Sequence, residues 1–402
     1  MNNVYIVAAT RTPVGKGKGQ LATIRADTLL ISVLRGALAQ VPTLDPEVVE
    51  DVVIGCAMPE GEQGLNIARS AALLAGLPIS AGAMTLNRFC ASGLSAIQMA
   101  AERIQLGQAD IMIAGGVESM SRVPMMGFHP APSPLIFENP SQLPLAWGMG
   151  ATAENLAQIW NISREAQDSL SLLSHQRAVA AQDRGDFTAE ITPLEGRRII
   201  GVENDGEYQE QVLTIAHDEG PRRNTDMAAL GRLKPAFHVR GSVTAGNSSQ
   251  ISDGASALIL VSEQALVRHQ LTPLARVMGF SVKGVAPEIM GLGPVKVVPP
   301  LLERHGLEQS QLDWIELNEA FAAQVLAVQK HLAFDPECLN PVGGGYRSRS
   351  PIGSQWCHSY NHLDSRFASH PGTLRLSNPV RRHGTGDRRP LRAAVIELPL
   401  SF

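Results

Sequence analysis

Asn87-Arg88-Phe89-Cys90-Ala91-Ser92-Gly93-Leu94-Ser95-Ala96 sets a cysteine where a short strand (84–87) gives way to a helix. Residues 91–106 repeat apolar side chains three and four apart, as one face of a helix does, and DIMIAG (110–115) reads as the next strand. Strand, helix and strand in that order make the unit of a layered α/β protein. A thiol at a helix start faces unpaired N–H groups and the positive end of the helix dipole, which favours its thiolate. Ala91, Ser92 and Gly93 are small enough to let a carbonyl approach. A cysteine taken at random is simply a small buried residue, but at this junction the nucleophile reading of Cys90 is the heavier one.

The same texture runs outward from this segment. Residues 4–8, 51–55, 256–261 and 275–280 read as strands, and 27–40 and 66–77 as helices. Between about 117 and 243 the pattern becomes irregular, with Met120, Met125, Met126 and Met149 among a run of prolines; this predicts an insertion. Two helices are expected inside it, at 153–160 and 164–184, the second capped by Ser163. Residues 314–317 followed by 319–330 (EAFAAQVLAVQK) echo the strand and small-residue helix of 84–106. Two similar α/β halves are therefore expected, residues 1–270 and 271–402.

Composition narrows the function classes. The 402 residues suffice for two or three domains, and 18% charged residues, against about 25% in an average domain, exclude extensive disorder. A net charge of −4 supplies no basic field for nucleic acid. Four cysteines do not make a disulfide scaffold and point to a reducing compartment. The opening residues lack a basic-then-apolar leader, and no run reaches the roughly 18 apolar residues of a membrane span. A soluble, cytoplasmic protein is expected.

Other segments are ambiguous alone. Asn318, before Glu319-Ala320-Phe321, could be no more than a helix cap. Residues 243–249 (VTAGNSS) are a turn or a place where backbone meets a ligand, and 290–294 (MGLGP) a tight loop. Arg222 and Arg223 could hold phosphate or belong to a solvated turn.

Taken together, 4–19 (VYIVAATRTPVGKGKG), 87–97 (NRFCASGLSAI), 114–125 (AGGVESMSRVPM), 243–258 (VTAGNSSQISDGASAL), 290–294 and 316–324 (ELNEAFAAQ) resemble the thiolase family in type and order. The resemblance implies two similar halves building five α-β-α-β-α layers, with an inserted loop domain, about 117–243, that binds coenzyme A. It implies thiolytic cleavage of a 3-ketoacyl-CoA by CoA, or the reverse Claisen condensation, with CoA and acyl-CoA as substrates and no cofactor or metal. Cys90 would carry the acyl group, and Asn318 would position a water of the oxyanion hole. Ser249, Met149, Met290, Ala320 and Phe321 would line the pantetheine and acyl tunnel, with Arg222 or Arg223 near the nucleotide. A homodimer or homotetramer is implied. Gly148, where biosynthetic members carry His, leans towards the β-oxidation type. Decarboxylating ketoacyl synthases also use a helix-start cysteine but lack the Asn-Glu-Ala-Phe segment.

The pattern breaks after Asn340-Pro341-Val342-Gly343-Gly344. The family continues Ala-Ile-Ala-Leu-Gly-His-Pro, and later supplies a second cysteine; this chain reads Gly345-Tyr346-Arg347-Ser348-Arg349-Ser350-Pro351. Residues 345–392 hold nine Arg, no Lys and two acidic residues. Codons for 345–351, read one base over, can spell Ala-Ile-Ala-Leu-Gly-His, placing the His at Ser350. Codons for 378–387 shifted the same way can spell a second-cysteine motif, with Cys at Val380. A compensated frameshift over about 345–392 accounts for both, and 393–397 again reads as a final strand. The alternative is a catalytically dead thiolase-like protein that binds acyl-CoA.

Overall fold

The structure, a computed structural model, describes residues 2–202, 208–344 and 392–393. Strands β1 (Val4–Arg11), β2 (Gly15–Lys16), β3 (Asp51–Gly55), β4 (Gly82–Leu86), β5 (Ile111–Ser119), β8 (Ser252–Ser262), β9 (Ala275–Val277) and β10 (Arg392–Ala393) form one mixed sheet. Its order is β10-β9-β1-β8-β5-β3-β4, with β2 on β8. β6 (Leu194–Val202) and β7 (Tyr208–Ile215) form a separate antiparallel ribbon. Helices are α1 (Ala26–Gln40), α2 (Ile67–Ala75), α3 (Ser92–Gln105), α4 (Leu135–Glu138), α5 (Met149–Ile159), α6 (Arg164–Asp183), α7 (Met227–Gly231), α8 (Glu263–Arg268), α9 (Gly293–Arg304) and α10 (Ala322–Leu332).

The near-continuous apolar runs of β1, β5 and β8 follow from their place: every residue in all three is buried, so both faces need cover. On one face, Tyr5 and Val7 pack with Leu29, Leu30 and Leu34 of α1 and Ala68 and Ala72 of α2. On the other, Val4 and Ile6 belong to a core with Leu94, Ile97 and Ile104 of α3 and Val325 and Val328 of α10. The first six residues of α3, Ser92 to Ile97, are all buried. Glu102 further along is exposed, whereas this first half of α3 is an interior segment. It lies between the sheet and elements of the second half, as a five-layered arrangement requires.

The expected strands and helices of the first half appear within a few residues of their predicted bounds, and Ser163 caps α6 by accepting the Ala166 N–H at 3.1 Å. Residues 314–317 differ. Among the described residues they form no strand, only the parallel bridge Ile315–Leu339. Residues 345–391, with the positions of Ser350 and Val380, lie outside the described residues, as does 394–402. Arg11 fastens the insertion to the sheet. Its buried guanidinium pairs bidentately with Asp218 at 2.7 and 2.9 Å and with Glu190 at 2.8 Å.

Candidate active site

β4 ends in a turn held by side chains on both sides. Asn87 accepts the Phe89 N–H through Oδ1 at 2.7 Å, and Ser92 Oγ accepts the Arg88 N–H at 2.8 Å while donating to the Phe89 carbonyl at 2.6 Å. Together they hold Phe89 at φ +46°, in the left-handed region that a bulky residue enters only when its surroundings compel it. The turn delivers Cys90, 4% exposed, at the entrance to α3. Cys90 packs with Ala57 and Met120, and Phe89 and Met149 close the cluster. Ala57 is itself clamped: its N–H donates to Glu118 Oε2 at 2.7 Å, and its carbonyl accepts Asn87 Nδ2 at 2.9 Å. Gln63 Nε2 holds the other oxygen of the fully buried Glu118 at 2.6 Å.

This setting reverses one sequence expectation. The helix start was expected to favour the thiolate, but burial, reinforced by the negative charge of Glu118, pushes the Cys90 thiol up to about 12. Desolvation outweighs the dipole, so the resting group is a thiol that needs a base at the moment of attack.

Asn318 arrives by a different route. Asn340 grips the residue before it: its Oδ1 accepts the Leu317 N–H and its Nδ2 donates to the Leu317 carbonyl, both at 2.8 Å. The same Nδ2 reaches Glu319 Oε1 at 2.9 Å, and Ser174 Oγ donates to Glu319 Oε2 at 2.6 Å. Asn318 is thus flanked by two braced neighbours. It is not the cap of α10, which begins at Ala322 with Phe321 in the cap position, so the plain capping reading falls.

Asn318, Ala320 and Phe321 line one cavity with Met149, Met290 and Leu156, between α5, the 290–294 loop and α10. Met149 is common to this cavity and to the Cys90 cluster, so it links the thiol's surroundings to the cavity that Asn318 lines. Ser249 is joined to the wall through its N–H, which donates to the Ala320 carbonyl at 2.8 Å. Arg222 is exposed and is not part of this lining; its N–H donates to His175 Nδ1 at 3.3 Å. Arg223 pairs with Asp183 at 2.6 Å. Sequence reasoning overlooked Glu118, Gln63 and Asn340, which brace the site from behind, and Gln324, which lines the cavity. Gln324 lay within the quoted 316–324 segment, but nothing in its spacing marks the inward direction. Among the described residues no cluster of three or more His, Cys, Asp or Glu could hold a metal, and no helix is long and apolar enough to cross a membrane.

Comparison with known proteins bears directly on this arrangement. The model of the thiolase N-terminal domain matches residues 4–264, and that of the thiolase C-terminal domain matches 271–387. A 3-ketoacyl-CoA thiolase of Bacillus subtilis is 43% identical over 354 residues, 88% of this chain and 90% of that protein. A beta-ketoadipyl-CoA thiolase of Pseudomonas aeruginosa is 43% identical over 370 residues, covering 87% and 89%. The crystal structure of human mitochondrial 3-ketoacyl-CoA thiolase in complex with CoA superposes with a TM-score of 0.80 at 34% identity, over 92% of this chain and 93% of that one. None of these favours the catalytically dead alternative. A buried thiol at a helix start, a braced asparagine lining the cavity that shares Met149 with it, and family-model matches to both thiolase domains have one common explanation: this chain belongs to the thiolase family and is an acyltransferase.

Proposed function

We propose that the protein cleaves 3-ketoacyl-CoA with free CoA, or runs the reverse Claisen condensation, through an acyl group carried on Cys90. The supporting observation is the shared position of Met149, against Cys90 on one side and in the Asn318 cavity on the other. In cleavage, the Cys90 thiol loses its proton to a base and its sulfur attacks the C3 carbonyl. The C2–C3 bond then breaks, and the electron pair goes to acetyl-CoA as its enolate, which is protonated at C2. The thiol of a second CoA attacks the acyl-Cys90 thioester, releasing a shortened acyl-CoA and the free thiol. Asn318 orients a water towards the oxygen where negative charge develops. Met149, Met290, Ala320 and Phe321 hold the acyl end, Ser249 the pantetheine arm, and Arg222 stands near the nucleotide.

In this proposal the base and the proton shuttle are the His and Cys that codons read one base over can spell at Ser350 and Val380, which the gene's nucleotide sequence across 343–394 tests directly. The halves 1–270 and 271–402, with the insertion 117–243 as the CoA-binding part, a homodimer or homotetramer, a cytoplasmic location and a role in β-oxidation complete the proposal. Incubation with acetyl-CoA followed by mass spectrometry should show acetyl on Cys90. A thiolysis assay should show turnover rising steeply when the shifted frame is restored across 345–392. No label at Cys90 in the restored chain refutes the proposal.

A further inference from the structure

His175 lies in α6, 2% exposed, and belongs neither to the Cys90 cluster nor to the cavity that Asn318 lines. Its Nδ1 accepts the Arg222 N–H at 3.3 Å, which puts the proton of the neutral ring on Nε2. Turning the ring over would set a C–H against that N–H, so the contact fixes the orientation of the ring. Two turns further along α6 the same segment is held again. Gln182 Nε2 donates to the Asp218 carbonyl at 3.0 Å, and Asp183 pairs with Arg223 at 2.6 Å. The catalytic segment is held from other positions of the helix, where Ser174 bonds Glu319 and Arg177 Nη1 donates to the Leu339 carbonyl at 2.8 Å. Residues 218–223 are thus fastened along α6, and His175 is the point of attachment at Arg222.

The two neighbouring arginines are committed differently. Arg223 gives its guanidinium to Asp183, whereas Arg222 is exposed and its guanidinium has no carboxylate partner among the described residues. A guanidinium left open suits a phosphate, which it can meet with two parallel N–H bonds. An arginine on a loose backbone would lose more freedom on binding than one whose backbone is already fixed. We propose that His175 is a positioning residue for the nucleotide end of CoA: by accepting the Arg222 N–H it fixes the backbone from which the Arg222 guanidinium meets a phosphate. This inference deepens the thiolase reading and rests on its placing Arg222 near the nucleotide.

The test is titration calorimetry with the full chain, which does not depend on turnover, using CoA, adenosine 3′,5′-bisphosphate and pantetheine as probes. His175→Leu removes the acceptor and keeps a side chain of similar size, whereas His175→Asn returns an oxygen close to the place of Nδ1. The leucine variant should bind CoA and the bisphosphate about fivefold more weakly, as the loss of one hydrogen bond implies, with pantetheine unchanged. The asparagine variant should recover most of that loss. His175→Phe, which keeps a ring without an acceptor, takes the place of leucine if that variant does not fold. Unchanged affinity for the bisphosphate in a folded variant overturns the inference. So does an equal weakening of pantetheine, the mark of a general structural role, or an asparagine variant no better than the leucine one. These results leave the thiolase reading intact. Wild type that binds CoA but not the bisphosphate removes Arg222 from the nucleotide and this inference with it, and wild type that binds no CoA removes the thiolase reading as well.

Discussion

Replacing Asn340 tests whether the Asn318 segment is held as the hydrogen bonds indicate. Asn340 is 3% exposed, and its amide makes three contacts at 2.8–2.9 Å, two to the backbone of Leu317 and one to Glu319. Asn340→Ala removes all three bonds and leaves the Leu317 N–H and carbonyl without their side-chain partner. At about 1 kcal/mol net per bond, with more for a polar group left dry, the loss should be roughly 3 kcal/mol. Asn340→Asp makes the sharper comparison. It keeps the volume and the acceptor for the Leu317 N–H, but turns the donor into a carboxylate oxygen facing the Leu317 carbonyl and the Glu319 carboxylate. The near-isosteric change should therefore be the more damaging one at neutral pH, and its deficit should shrink on acidification, when a protonated carboxyl can donate again. Urea unfolding gives the stabilities, and acetyl transfer to Cys90 reports on the site. An alanine variant within about 0.5 kcal/mol of wild type, or an aspartate variant more stable than the alanine one at neutral pH, refutes the bracing argument.

The raised Cys90 thiol predicts that iodoacetamide labelling of this residue climbs with pH without levelling off by pH 10, since the thiol is pushed up to about 12. Glu118→Gln removes the second cause of that shift and should move the labelling curve to lower pH; coincident curves would remove Glu118 from the account. The same shift has a stability sign. An unfolded thiol ionises near about 8.5, so the preference of the fold for the neutral form is fully present below that pH and is lost as pH rises towards 12. Alkaline unfolding should accordingly be milder in Cys90→Ala than in wild type. Arg11→Met strands the Asp218 and Glu190 carboxylates in the interior and should cost about 3–5 kcal/mol in denaturant unfolding. A loss below about 1 kcal/mol would show that Arg11 does not tie the insertion to the sheet.

The alternation of apolar runs with small-residue helices was enough to read the α/β class, the strand–Cys90–helix junction and most element positions in the first half, because those signals repeat every two or three to four residues. The order of the motifs pointed to the family, and the break after Gly344 was visible only because a familiar order stopped. Whether Asn318 capped a helix or lined a cavity depended on where α10 begins, and its neighbours are held by Asn340 from more than twenty residues away. The character of Cys90 likewise followed from distant chain. A helix start alone favours the thiolate, but Ala57, Met120 and Glu118 converge on it from other elements and make it a thiol. Local sequence fixes periodicity and turn chemistry, whereas burial, partnership and charge state arise only when remote segments are packed together and water is excluded.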